Sequence, residues 1–219
     1  MAPAAHAELT AFQREVLARL FERERDFFLS GGAALVGYYL HHRLTDDLDL
    51  FTLDEEAFAR GPRLLAEVAH ASGARVEVRQ ESPSFRRSAL IRANELVVVD
   101  MVLERVHQMH ARKNEIDHVL VDAPDEILAN KLTAIVGRME ERDLVDVLFL
   151  ERAGYTIDDA LAPALAKDGG CTPATLAWLL SEIHIPDDAV LPAAVDPAEL
   201  RTFIADVVVR MRRVALPSR

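Results

Sequence analysis

The spacing of apolar residues changes character once along the chain, and that change limits what the chain can fold into. From residue 27 to about residue 121 they come in short runs: FFLS at 27 to 30, LDLF at 48 to 51, RVEVRQ at 75 to 80, SFRRSALIRA at 84 to 93 and ELVVVDMVLER at 95 to 105. Short runs bounded by glycine, proline and acidic turns read as strands, and Ala93-Asn94 reads as a hairpin turn between the last two. After HVLVDAP, ending at Pro124, the pattern becomes helical: DEILANKLTAIVGR, RDLVDVLFLERAG, TIDDALAPALAKDGG, TPATLAWLLSEI and PAELRTFIADVVVRMRRV. Helices are predicted earlier too, among them an amphipathic one over 7 to 26 and one over 54 to 73 with Asp54 as its N-cap. The stretch 185 to 197, IPDDAVLPAAVDP, is predicted to be a loop. The expected fold is α+β, with a mixed sheet flanked by helices over residues 1 to 123 and a helical domain over 124 to 219.

Half of the 219 residues are apolar, enough for a core, while no apolar run approaches the roughly 20 residues of a membrane span. The N-terminal MAPAAHAELTAF lacks the basic start and apolar core of a secretory signal, so a cytoplasmic protein with no membrane partner is expected. One cysteine, Cys171, excludes an internal disulfide framework and a cysteine-rich zinc site. A net charge of -11 argues against broad nonspecific nucleic-acid binding.

Within this frame the segment TDDLDLF is unusual, because it sets Asp46, Asp47 and Asp49 where a strand would ordinarily carry valine or isoleucine. Alternate side chains of a strand share a face, so Asp47 and Asp49 project together while Leu48 and Leu50 face the core. Two carboxylates about 4 Å apart repel by about 4 kcal/mol at an effective dielectric near 20, and a divalent cation relieves this. Mg²⁺, or Mn²⁺, suits one or two carboxylates with its remaining positions filled by water and phosphate oxygens. A solvated strand edge is the plainer reading of the same residues. Asp46 has the wrong parity for the pair and is expected to support it from outside.

Upstream, Gly31-Gly32 separates a strand from AALVGYYLHH, a predicted helix with Ser30 as its N-cap; such a turn lets backbone N–H groups approach a phosphate. Asp100 interrupts VVVDMVL, where an uncompensated charge would cost several kcal/mol. It is expected either to complete a three-carboxylate metal cluster with Asp47 and Asp49 or to pair with a structural arginine. In the helical half, Lys131 and Arg138 share one helix face and Asp143 and Asp146 share a face of the next. Spacing alone favours surface salt bridges between the two helices over a shared phosphate site.

Together, SGGAALVGYYLHHRLTDDLDLF and EILANKLTAIVGRMEERDLVDVLFL resemble the AbiEii-type nucleotidyltransferase toxin family, part of the polymerase-beta-like nucleotidyltransferase superfamily. The likeness spans roughly residues 27 to 153. It implies two lobes binding NTP and Mg²⁺ between them, with Gly31 and Gly32 on the triphosphate, Asp47 and Asp49 on the metal, Lys131 on phosphate or base, and Asp146 as the essential acid of the last motif. Arg43 and Thr45 match the family wording and are implied phosphate contacts. The implied reaction moves NMP from NTP to an acceptor hydroxyl, releasing pyrophosphate. The implied setting is a toxin–antitoxin or phage-defence pair, with a cognate antitoxin as partner and RNA such as tRNA as acceptor. Arg86, Arg87, Arg92, His107, His110, Arg112 and Lys113 are the basic residues available to an RNA. A small-molecule or protein acceptor, or a noncatalytic protein holding a nucleotide or partner, stays open.

Overall fold

The computed structural model describes residues 8 to 216; the N-terminal MAPAAHA, part of the stretch read for a signal, and the start of the predicted helix over 7 to 26 lie outside the described residues. In chain order the elements are α1 (Ala11–Phe21), β1 (Phe27–Ser30), α2 (Gly31–Ala34) running into a wide π-turn (Leu35–Tyr39), β2 (Asp47–Thr52), α3 (Glu55–Ala71), β3 (Arg75–Glu81), β4 (Phe85–Arg92), β5 (Glu95–Leu103), β6 (Asn114–Ile116) and β7 (Val119–Val121). Helices then follow: α4 (Pro124–Gly137), α5 (Glu141–Arg152), α6 (Ile157–Lys167), α7 (Pro173–Ser181) and α8 (Pro197–Ala215). Among the described residues the chain forms two compact units. One runs through Val106 and includes His110–Ala123; the other takes His107–Met109 and continues from Pro124.

The first unit is a seven-stranded mixed sheet in the order β3-β4-β5-β2-β1-β7-β6. Strand β2 lies between β1, antiparallel to it, and β5, parallel to it. Leu48 and Leu50 of β2 and Val99 and Met101 of β5 are buried on one face. Helix α3 packs closely there, because Gly61 leaves no side chain between it and Met101, whose sulfur would lie 2.7 Å from an added Cβ. Alternation therefore sends Asp47, Asp49 and Asp100 to the opposite face. Asp54 caps α3 as expected, accepting from the Ala57 N–H at 2.7 Å. At α1, Thr10 and Gln13 form a reciprocal capping box, and the Gln13 amide also donates to the Thr45 carbonyl at 2.8 Å, tying that helix to the loop that leads into β2.

Two local expectations are corrected. The helix after Gly-Gly is four residues long, widens into the π-turn and ends at Tyr39, and His41 takes a positive φ of 48° instead of continuing it. Ser30 makes no side-chain cap bond; its hydroxyl is buried without a hydrogen-bond partner among the described residues. Strand β6, three largely exposed residues, had no apolar run to announce it.

The second unit is helical. Its core is built from Ile127, Leu128 and Leu132 of α4, Leu144, Leu148 and Leu150 of α5, Leu176 of α7, and Leu200 and Met211 of α8. Thr156, Thr172 and Asp196 cap α6, α7 and α8 through side-chain oxygens. The predicted loop over 185 to 197 is loop apart from one short 3-10 turn, Pro192–Ala194, and Pro197, which begins α8. No helix among the described residues is long and apolar enough to cross a membrane.

Candidate active site

Strand register assembles the first group of side chains. Ser30, Asp49, Asp100 and Arg87 are consecutive partners across β1, β2, β5 and β4, so all four project from the same face. Asp47 lies two residues before Asp49 on that face. One oxygen from each of Asp47, Asp49 and Asp100 falls within 4.8 Å of the others. Adjacent and opposite oxygens around an octahedral Mg²⁺ are about 2.9 and 4.2 Å apart, so three hard oxygen donors this near one another have to draw together to share such an ion.

The turn before α2 is shaped around this cluster. Gly31 has φ +62°, and a Cβ there would lie 2.3 Å from Asp49 Oδ2, so the backbone passes directly against the carboxylate. A Cβ on Gly32 would lie 2.3 Å from Arg43 Nη2. Arg43 is buried and its Nη1 donates to the Leu44 carbonyl at 2.9 Å, placing a positive charge behind the turn. Thr45 donates its hydroxyl to Asp47 Oδ1 at 2.9 Å and so orients that carboxylate. Asp46 is exposed and contributes its backbone carbonyl to the Val98 N–H, consistent with a position outside the pair.

Asp100 lies where both of its weighed readings need it. It belongs to the three-carboxylate cluster, and Arg87 grips it in a bidentate pair, Nε to Oδ1 at 2.8 Å and Nη2 to Oδ2 at 2.6 Å. Hydrogen bonding to Asp100, and the charges of Asp47 and Asp49 beside it, hold the Arg87 pKa well above the ordinary guanidinium value. From the sequence Arg87 stands only among the basic residues available to an RNA. The missed signal was the hairpin: equal steps back and forward from Ala93-Asn94 land Arg87 opposite Asp100.

The other basic residues are largely committed. Arg86 lies over the Phe58 ring and donates to the Phe58 carbonyl and, at 3.1 Å, to Glu81. Arg92 binds Glu15 at 2.7 Å and Glu95 at 3.0 Å, over the ring of Phe12. Lys113 forms a buried pair with Asp122 at 2.6 Å. The His107 carbonyl accepts from Lys167 at 2.9 Å. Arg112 is exposed and lines an open cavity of about 830 Å³ with Arg25, Phe28 and Leu53, away from the carboxylates, at the ends of β1 and β2 remote from Ser30 and Asp49.

In the helical unit, Lys131 Nζ lies 2.7 Å from both Asp143 Oδ1 and Asp146 Oδ2, and Arg138 reaches Asp143 at 2.9 Å. The two Lys131 pairs are buried, not on the surface as spacing alone favoured, because α4 and α5 pack along those faces, while Arg138 reaches Asp143 from the exposed side. Burial alone would pull the Lys131 pKa down, but the charges of Asp146 and Asp143 outweigh it and hold it above the ordinary amine value. Burial likewise pushes the Asp143 carboxyl up, yet Lys131 and Arg138 hold it below the usual range. A second buried pair went unforeseen: Glu126 meets Lys167 at 2.5 Å and accepts from the Met109 N–H at 2.8 Å, so α4 and α6 clasp the 107 to 109 segment.

A glycine turn pressed against an Asp-x-Asp strand is the arrangement that the resemblance to nucleotidyltransferases implied, and Asp100, singled out from the residues alone, adjoins it on the parallel neighbour. The family model described as nucleotidyl transferase AbiEii toxin, type IV TA system, matches residues 15–211, and the chain belongs to that family. It is, by family, a nucleotidyltransferase of the toxin–antitoxin type. Among solved structures it is similar to an H. pylori protein assigned to the nucleotidyltransferases, at 19% identity over 92% of this chain and 94% of that one, with a TM-score of 0.59. It is similar to JHP933 from Helicobacter pylori, at 18% identity over 93% and 91%, with a TM-score of 0.59. The antibiotic-resistance factor ANT(2'')-Ia matches over 70% of this chain and 88% of its own, at 15% identity and a TM-score of 0.51. At these identities the likeness shows the fold. No curated protein matches the chain.

Proposed function

We propose that the protein moves a nucleoside monophosphate from an NTP to an acceptor hydroxyl in a reaction that depends on Mg²⁺. The acceptor oxygen bonds to the α-phosphorus, the bond from that phosphorus to the β-phosphate bridging oxygen breaks, and pyrophosphate leaves. The observation that carries this reading is the carboxylate cluster, three oxygens within 4.8 Å, against which the Gly31 backbone is pressed. Asp47 and Asp49 would hold the ion, with Asp100 adjoining. When bound, the ion would neutralise phosphate charge and lower the pKa of the attacking hydroxyl. Gly31 and Gly32 offer backbone N–H groups to the triphosphate, and Arg43 places positive charge behind them. Thr45 orients Asp47. Lys131 is assigned to phosphate or base, and Asp146 is the acid that holds its ammonium in place.

The family's toxin role supports an RNA acceptor such as tRNA, with an antitoxin as the partner that restrains it. A small-molecule acceptor is the second reading. It is favoured by the commitment of Arg86, Arg92 and Lys113 to carboxylates in a chain of net charge -11. Incubation with each α-labelled NTP, Mg²⁺ and total RNA or a small-molecule extract separates them, because label enters RNA in the first case and the low-mass fraction in the second. Pyrophosphate release is expected to need Mg²⁺ and to disappear in Asp49→Asn. An active protein indifferent to both would refute the assignment, and nucleotide binding without any pyrophosphate would favour a noncatalytic role.

A further inference from the structure

We infer that Arg87 masks Asp100, so that the metal-free protein presents a divalent cation chiefly with Asp47 and Asp49, and the third carboxylate joins when the guanidinium swings aside. This rests on the metal site proposed above and concerns how its occupancy is controlled. Both oxygens of Asp100 are engaged at once, at 2.8 and 2.6 Å, in the planar two-point geometry that makes an arginine–carboxylate pair strong. The Asp100 side chain is only 5% exposed, so solvent offers it little alternative partner. That of Arg87 is 43% exposed, so one side of the guanidinium has solvent to move into.

The register then sets the conflict. Asp100 lies opposite Asp49 on β2 and opposite Arg87 on β4, so a cation shared by the three carboxylates sits beside a fixed positive charge. Like charges at that range oppose each other, and the guanidinium lowers the affinity of the cluster for metal. An arriving triphosphate supplies oxygens that a displaced guanidinium can bind, since arginine takes phosphate in the same two-point manner as carboxylate. Nucleotide binding would thereby release Asp100 to the metal as the reaction is assembled. In this scheme Arg87 touches the nucleotide only after it is displaced, through phosphate oxygens.

The test is Mn²⁺ titration of nucleotide-free protein by electron paramagnetic resonance and calorimetry. Wild type is expected to bind Mn²⁺ in a manner abolished by Asp49→Asn. Arg87→Gln, which frees Asp100, is expected to bind about tenfold tighter. The double variant Arg87→Met with Asp100→Leu removes the pair as a neutral unit and guards against a single variant destabilised by an unpaired buried charge. It is expected to stay within about threefold of wild type, because the pair contributes no net charge. Unchanged or weaker binding in Arg87→Gln, or a loss of about tenfold or more in the double variant, overturns the masking role while leaving the metal site standing. Absence of any Asp49-dependent Mn²⁺ binding in wild type overturns both.

Discussion

The backbone of Gly31 and the carboxylate of Asp49 are in direct contact, with 2.3 Å between Oδ2 and the position a Cβ on Gly31 would take. The same glycine has a positive φ of 62°, so it resists substitution for two separate reasons. Gly31→Ala is expected to destabilise the protein by about 2 kcal/mol, combining left-handed strain with displacement of the carboxylate. NTP turnover should fall by about 100-fold, the scale on which a misplaced reacting geometry costs rate. Gly32→Ala meets only the far end of Arg43, which can shift, so its stability loss should be the smaller. Urea unfolding and pyrophosphate release on both variants check the order.

Thr45 and Asp47 allow a milder intervention. The hydroxyl donates to Oδ1 at 2.9 Å, so Thr45→Val keeps the shape and removes one orienting bond. Loss of such a supporting contact to a metal ligand typically weakens metal binding by about tenfold. Stability should change by about 1 kcal/mol, the net worth of one hydrogen bond. Weaker Mn²⁺ binding with an unchanged circular dichroism spectrum is the expected result, and equal affinity would show that Asp47 needs no such guide.

Cys171 is fully buried, and burial pushes its thiol from the ordinary 9.0 to about 11. The folded state thus favours the neutral thiol. Its contribution to stability is whole below pH 9.0 and declines as pH rises toward about 11. At pH 8 a disulfide reagent is expected to label Cys171 only after unfolding in urea, since the thiolate is the attacking form. Rapid labelling of the native protein would refute this.

The parts of the site that depend on local sequence were legible before the structure. Strand parity separated Asp47 and Asp49 from Asp46, and the change of period near Pro124 marked where the sheet gives way to helices. What escaped depended on long-range register. Arg87 looked like one more basic residue until pairing across the hairpin set it opposite Asp100. The parallel pairing of β2 with β5, which aligns Asp49 with Asp100, joins segments some fifty residues apart with no local signal of register. The short helix after Gly32 failed for a different reason. AALVGYYLHH has helical composition, yet the chain must leave that path to place Arg43 behind the turn and bring Asp47 into β2.

The Lys131 network makes the last prediction, because its two halves titrate at opposite ends of the pH range. Asp143 has its pKa lowered in the folded protein from an ordinary 3.8. Its stabilising contribution is therefore present above that value and lost as pH falls through the lower folded one. Lys131 has its pKa raised from an ordinary 10.5, so its contribution is whole below pH 10.5 and lost as pH rises through the higher folded value. Between those limits the ammonium and its two carboxylates support each other within 2.7 Å contacts. Lys131→Met removes the cation and leaves Asp143 and Asp146 facing each other in the core. Breaking a buried pair from one side costs about 3–5 kcal/mol, so a large drop in melting temperature is expected at pH 7. Acidification should then narrow the gap between variant and wild type, because protonating either acid relieves the repulsion that the variant alone suffers. Thermal melts of both proteins from pH 3 to pH 8 read this directly. A constant gap across that range would show that the ammonium stabilises the helices by packing and not by charge.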